Sequence, residues 1–261
     1  ASMLNVLSLA LQFELRGLFR NRVGTVALIA YLSIGALAMF LGDRYVAGWQ
    51  QAIDTAEAAQ QESVEKARTH LQTGEGPKDR PWVDLSTPMW QDYYAGTRVP
   101  REPGALAGIA AGSVDTAPVA FQVTRRSDPS AGSGYRIENP ELAMGSVDLT
   151  FVLAILSPLL IGMLGVSIGG REREDRIDRL IIVQAGSVRE WLLARLVAVT
   201  GIAAASNAIL CLVAGFMGGA SIQELAVFVA LGVGYAALWG GVLALVSAYA
   251  QTVRGEALTF G

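Results

Sequence analysis

A chain of 261 residues that is 52% hydrophobic and only 16% charged is too apolar for an ordinary soluble domain and has the composition of a membrane protein. A net charge of −3 argues against a nucleic-acid binder, which needs a large basic excess to neutralise phosphates. One cysteine, Cys211, excludes an internal disulfide and, within an apolar run, reads as a small buried hydrophobe.

Met3 reads as the native start. In residues 1–22, Leu11, Leu15, Leu18 and Phe19 recur at helical spacing, while Arg16 and Arg20 can reach lipid headgroups. This pattern predicts an amphipathic elbow helix on the membrane surface; a plain charged flank of the first span is the simpler alternative. The apolar run 23–41 predicts a first span. Ala36-Leu37-Ala38 imitates a cleavage site, but the apolar run continues through Leu41, so a membrane span is favoured over a signal peptide.

Residues 42–148 carry mixed charge. Within them, 45–71 is rich in Ala, Gln and Glu without Pro and predicts a helical stalk that continues the first span. After Gly74, Pro77, Pro81, Pro88, Pro100 and Pro103 divide the chain into loops and short elements. Trp82, Trp90, Tyr93 and Tyr94 read as the small core of this domain rather than a recognition surface. The stretch "PVAFQVTRR", 118–126, predicts a short strand, and His70, the one histidine, reads as a solvated residue on the stalk.

Further apolar runs occupy 149–168, 196–217 and 225–250. With 23–41 they predict four spans, each of roughly 19 to 26 residues at 1.5 Å per residue, enough for a hydrocarbon core about 30 Å thick. Arginines mark the cytoplasmic side: Arg16, Arg20 and Arg22 before the first span, Arg171, Arg173, Arg176, Arg179, Arg189 and Arg195 between the second and third, and Arg254 after the fourth. The N-terminus is then cytoplasmic, and 42–148 and 218–224 are external.

Between the second and third spans, residues 169–195 open with "GGREREDRIDRLII". Arg171, Glu174 and Asp178 share one side of a predicted short helix, with Ile177, Leu180 and Ile181 on a neighbouring apolar stripe. Arginines alone would hold topology, but acids contribute little to orientation, so Glu172, Glu174, Asp175 and Asp178 need another use. Alternating signs favour internal ion pairs or docking to another protein.

No G-x-x-x-x-G-K-[ST] and no H-E-x-x-H occurs, and no span holds an acid or histidine in its middle. Catalysis, a bound metal and a cofactor are therefore not expected within this chain. Small residues recur four apart instead: Gly165 with Gly169, Ala236 with Gly240, and Ala237 with Gly241 predict close helix packing within the chain or with a second copy. Asn207 reads as interhelical glue.

"FELRGLFRNR" at 13–22, "PGALAGIAAGSVDTAPVAFQVTRR" at 103–126 and, most strongly, the block 139–199 from "NPELAMG" through "REREDRIDRLIIVQAGSVREW" to "LVAV" resemble the permease subunit of ABC-2 type transporters. The likeness is to the branch with a large external insert between its first two spans. It implies that the loop after the second span is the coupling helix seated in an ATP-binding subunit. Arg173 and Glu174 match the family's Arg-Glu pair, Leu180 and Ile181 its apolar turn, and Arg171, Asp175 and Asp178 lie beside them. Asp175-Arg176 replaces the usual Gly-Thr, and Gly186-Ser187-Val188 stands where Pro-Val-Ser is common.

The resemblance further implies a homodimer or a pair of related permeases on two ATP-binding subunits, which hold the ATP and Mg. It implies a multi-pass place in a bacterial inner membrane, amid lipids, and transport that is most often export. Such permeases usually have six spans, and a fifth is expected from Ala257 onward, after a cytoplasmic segment at 251–261. The expected fold is mainly α: a polytopic transmembrane bundle with an external, periplasmic α/β or mixed domain between helices 1 and 2. The alternative is a mechanotransmitting or anchoring membrane protein whose external domain acts on a periplasmic partner.

Overall fold

The structure is a computed structural model; it describes residues 3–20, 22–74, 82–84, 86–94, 97–111, 120–123, 134–135, 147–166, 168, 174, 187–249 and 259–260. It is mostly helical. The long elements are α1 (Met3–Arg20), α2 (Arg22–Thr73), α4 (Leu149–Gly165), α5 (Val188–Met217) and α6 (Ile222–Tyr249), with a short α3 (Pro88–Tyr94). Three of them, α2, α5 and α6, are long and apolar enough to cross a membrane. The predicted second span differs: α4 is a shorter apolar helix ending at Gly165 rather than 168.

Pro158 explains the irregularity of α4. It has no N–H for the carbonyl of Ala154 and its ring would clash with that carbonyl in a regular helix. The chain widens into a π segment at Val152–Leu156, with Ser157 N–H bonding Val152 O, and resumes as α-helix at Ser157–Gly165.

Capping sets the remaining boundaries. The Ser187 hydroxyl accepts from Glu190 N–H, so α5 begins at Val188 and takes in Arg189 and Arg195, which the hydropathy pattern leaves in the loop. At its other end Gly219 has φ +69°, where a side chain would be strained, and Ala220 N–H bonds Gly215 O while Gly219 N–H bonds Phe216 O. Two residues later Ser221 and Glu224 cap each other and start α6. This tight connection returns α6 against α5.

The chain divides into two units, residues 1–40 with 147–261, and residues 41–146. In the first, α1 and α6 each pack on α5, and α4 packs on both α5 and α6. The second holds the remainder of α2, α3, a 3-10 turn at Ala107–Ala110, and an antiparallel sheet ordered β1 (Thr97–Pro100), β2 (Ala120–Val123), β3 (Gly134–Tyr135). Thr97 pairs with Val123 and Pro100 with Ala120, so the strand expected within 118–126 forms the middle of the sheet.

The core of this second unit is built on α2. Tyr45, Trp49, Ile53 and Ala111 cluster, and the Trp49 indole donates to Arg101 O at 2.9 Å. Backbones come together where Gly42 meets Gly108; a Cβ on Gly42 would overlap the Gly108 carbonyl. Ala67, Val83 and Trp90 make a second cluster, whereas Trp82 is 69% exposed. The side chains of Tyr93 and Tyr94 lie outside the described residues. His70, expected to be solvated, is only 9% exposed: it lies one helical turn from Ala67, on the side of α2 that this second cluster covers.

Candidate functional site: two helix junctions

The first junction joins α1 to the start of α5. Val6 and Ala10 pack on Ala194, with Leu7 and Trp191 against them. Phe13 meets Trp191 edge-on with ring centroids 5.8 Å apart, and the Arg195 guanidinium lies 5.1 Å from the Phe13 centroid. Arg195 also pairs with Glu14, with their side chains 13% and 12% exposed. Burial to that degree makes the two charges interdependent, since removing either leaves the other poorly solvated. The joint ties α1 to the first turns of α5.

The predicted surface stripe on α1 splits between faces. Leu18 is buried, Leu15, Arg16 and Arg20 are exposed, and the Phe19 side chain is outside the described residues. Leu11 of the stripe is exposed as well, and Leu9 and Phe13 add further exposed apolar surface to this helix.

The second junction lies inside the bundle. The fully buried Asn207 on α5 uses its amide in every direction: Tyr31 OH of α2 donates to Oδ1 at 2.5 Å, and Nδ2 donates to Ser157 Oγ of α4 and Gly232 O of α6, both at 3.0 Å. One side chain thus links all four apolar helices through bonds that lipid cannot replace. One turn away, Tyr235 OH donates to Ala154 O at 2.7 Å and satisfies the carbonyl that Pro158 leaves without its helical partner. Trp239 meets Tyr235 and Phe260 edge-on, and its buried indole N–H has no acceptor among the described residues.

Glycines set how closely these helices approach. A Cβ on Gly165 would run into Leu243, and one on Gly240 would overlap the Thr200 side chain, whose Cβ would be 2.9 Å away. Ala236 is fully buried on the same face of α6. Among the described residues a Cβ on Gly241 would meet nothing within 4 Å, and Ala237 is exposed, so that register faces away from these packing partners. Gly169 lies outside the described residues.

The charged segment is described only at Glu174, which is helical and exposed; Arg171, Arg173, Asp175, Asp178, Leu180 and Ile181 lie outside the described residues. Among the described residues no group of His, Cys, Asp and Glu is placed to hold a metal ion.

No family model, curated protein or solved structure matches this chain.

Sequence reasoning identifies Asn207 as glue but not its partners, and it misses the Glu14–Arg195 pair. A signal was present for one bond: Pro158 inside an apolar helix requires that some donor reach Ala154 O. Nothing local says that Tyr235 is that donor.

Proposed function

We propose that the chain is the permease subunit of an ATP-driven ABC-2 type transporter, an exporter in a bacterial inner membrane. In this reading 42–148 is an external domain, and the segment around Arg173 and Glu174 is the coupling helix. A partner subunit binds and hydrolyses ATP, and two permeases pair on two such subunits. The observation that carries the reading is the segment 169–182: its acids contribute little to topology, and in the chain it precedes α5, which Arg195 joins to Glu14 of α1. A push on the segment would reach α1 through that ion pair and the apolar helices through Asn207.

The test is recovery of the chain from native membranes in mild detergent, with mass spectrometry of what accompanies it. A stoichiometric protein with a Walker motif is expected, and Arg173→Ala with Glu174→Ala should release it or uncouple its hydrolysis without changing membrane insertion. Retained assembly with normal coupling would overturn the assignment of the loop.

A second reading, mechanical work on a periplasmic partner, is favoured by one feature: α2 carries the apolar stretch 23–41 and the residues 45–71 in a single helix. Cross-linking that finds no nucleotide-dependent movement of 45–71 would exclude it.

A further inference from the structure

A groove of about 480 Å³ runs along the first turns of α2 and the facing side of α4, within the first unit. Val23, Val26, Ala30 and Ile34 form one wall, and Leu159 and Met163 belong to the other. Its lining is apolar except at two places. Tyr31 spends its hydroxyl on Asn207, so it offers the groove only its ring. Arg22, at the groove's end, is exposed, and no acid among the described residues pairs with it or with the exposed Arg20 at the end of α1.

We propose that this groove is a binding site for one acyl chain of an anionic phospholipid, whose phosphate is held by Arg22. Length, lining and charge point to the occupant. Arg22 to Ile34 rises about 18 Å along the helix, close to the roughly 15 Å of one leaflet's hydrocarbon. A groove of about 480 Å³ along that length, apolar but for its Arg22 end, has room for an extended alkyl chain packed at ordinary contact distance. The charge distribution decides the headgroup: a guanidinium with no acid partner among the described residues, at one end of an otherwise apolar slot, matches a phosphate bidentately and favours a lipid with net negative charge. This inference rests on the membrane character of the helices and not on the transporter reading.

The experiment reconstitutes the full chain into zwitterionic vesicles containing one-quarter phosphatidylglycerol, with a trace of photoreactive acyl-chain analogue of either lipid. Adducts are mapped on 22–34 and 156–163 and compared with those around the exposed Leu231, Leu238 and Leu245 of α6. The phosphatidylglycerol probe should label the groove several-fold more than α6. Arg22→Gln should lower that preference about five-fold without altering the purified protein's size or helicity. Ala30→Trp, which fills the slot, should abolish groove labelling while leaving α6 labelling intact. Equal labelling of both faces, or a preference untouched by Arg22→Gln, would mean ordinary surrounding lipid and overturn the proposal. Cysteine at Val26 that cross-links efficiently between two copies would show a protein occupant and overturn it as well.

Discussion

Pro158 withholds a donor from Ala154 O, and Tyr235 supplies one from another helix at 2.7 Å. That exchange predicts non-additive mutants. Tyr235→Phe should cost roughly 1 kcal/mol, near the usual worth of a hydrogen bond within a membrane. In a Pro158→Ala background, where residue 158 can donate for itself, the same substitution should cost less than half as much. Equal cost in both backgrounds, read from unfolding in mixed micelles, would show that the carbonyl is satisfied otherwise. Outside the apolar helices, Asp84 accepts from Ser86 N–H at 2.9 Å in the turn that leads to α3, and the hydroxyl and N–H of Ser86 hold its carboxyl below the usual range. A depressed folded-state value means that the stabilisation is complete above the ordinary carboxylate range and is lost as pH falls through the depressed value. Ser86 amide exchange, corrected for its intrinsic pH dependence, should therefore accelerate on acidification in the native chain and stay level in Asp84→Asn.

Between elements, the approach of α6 to α4 and α5 is set by side chains that are missing. Gly240 faces the β-branched Thr200, whose stiff rotamer cannot easily yield, while Gly165 faces the flexible tip of Leu243, and Gly241 faces open space. Gly240→Ala should therefore cost roughly 1–3 kcal/mol, Gly165→Ala less, and Gly241→Ala almost nothing. Thermal stability of the three purified variants in one detergent gives the order directly; a damaging Gly241→Ala would mean that its face packs on another chain. The pattern of small residues four apart was legible in the sequence, but it fits 236/240 and 237/241 equally. Only the rotation of α6 against α5 distinguishes them, because adjacent registers differ by 100° and not in composition.

In the molecule as a whole, residues 41–146 form a unit with their own clusters around Trp49 and around Trp90. Trp49 is almost fully buried and hydrogen-bonded to Arg101 O, so Trp49→Ala should remove about 3–5 kcal/mol from that unit. Hydrogen exchange should then rise across 97–111 while the amides of α5 and α6 keep their protection. Uniform loss of protection in both units would show that they unfold together. The change of texture at Gly74 and the prolines that follow mark where the long helix gives way to short elements within this unit. The burial of His70 did not show, because it depends on residues near Val83 that reach α2 only after the chain has turned.

The sequence by itself determined the membrane character of the chain and the helical nature of 45–71. Span length and stalk composition are one-dimensional quantities, counted along the chain against a fixed bilayer thickness or a per-residue propensity. The strand near Ala120 was legible for the same local reason, from its alternation. Tertiary structure alone decided that Glu14 pairs with Arg195 and Tyr31 with Asn207, partners 181 and 176 residues apart. It also decided which of two adjacent glycines packs. Such pairings follow from the rotation and depth at which helices meet, and a single helix's pattern leaves both undetermined.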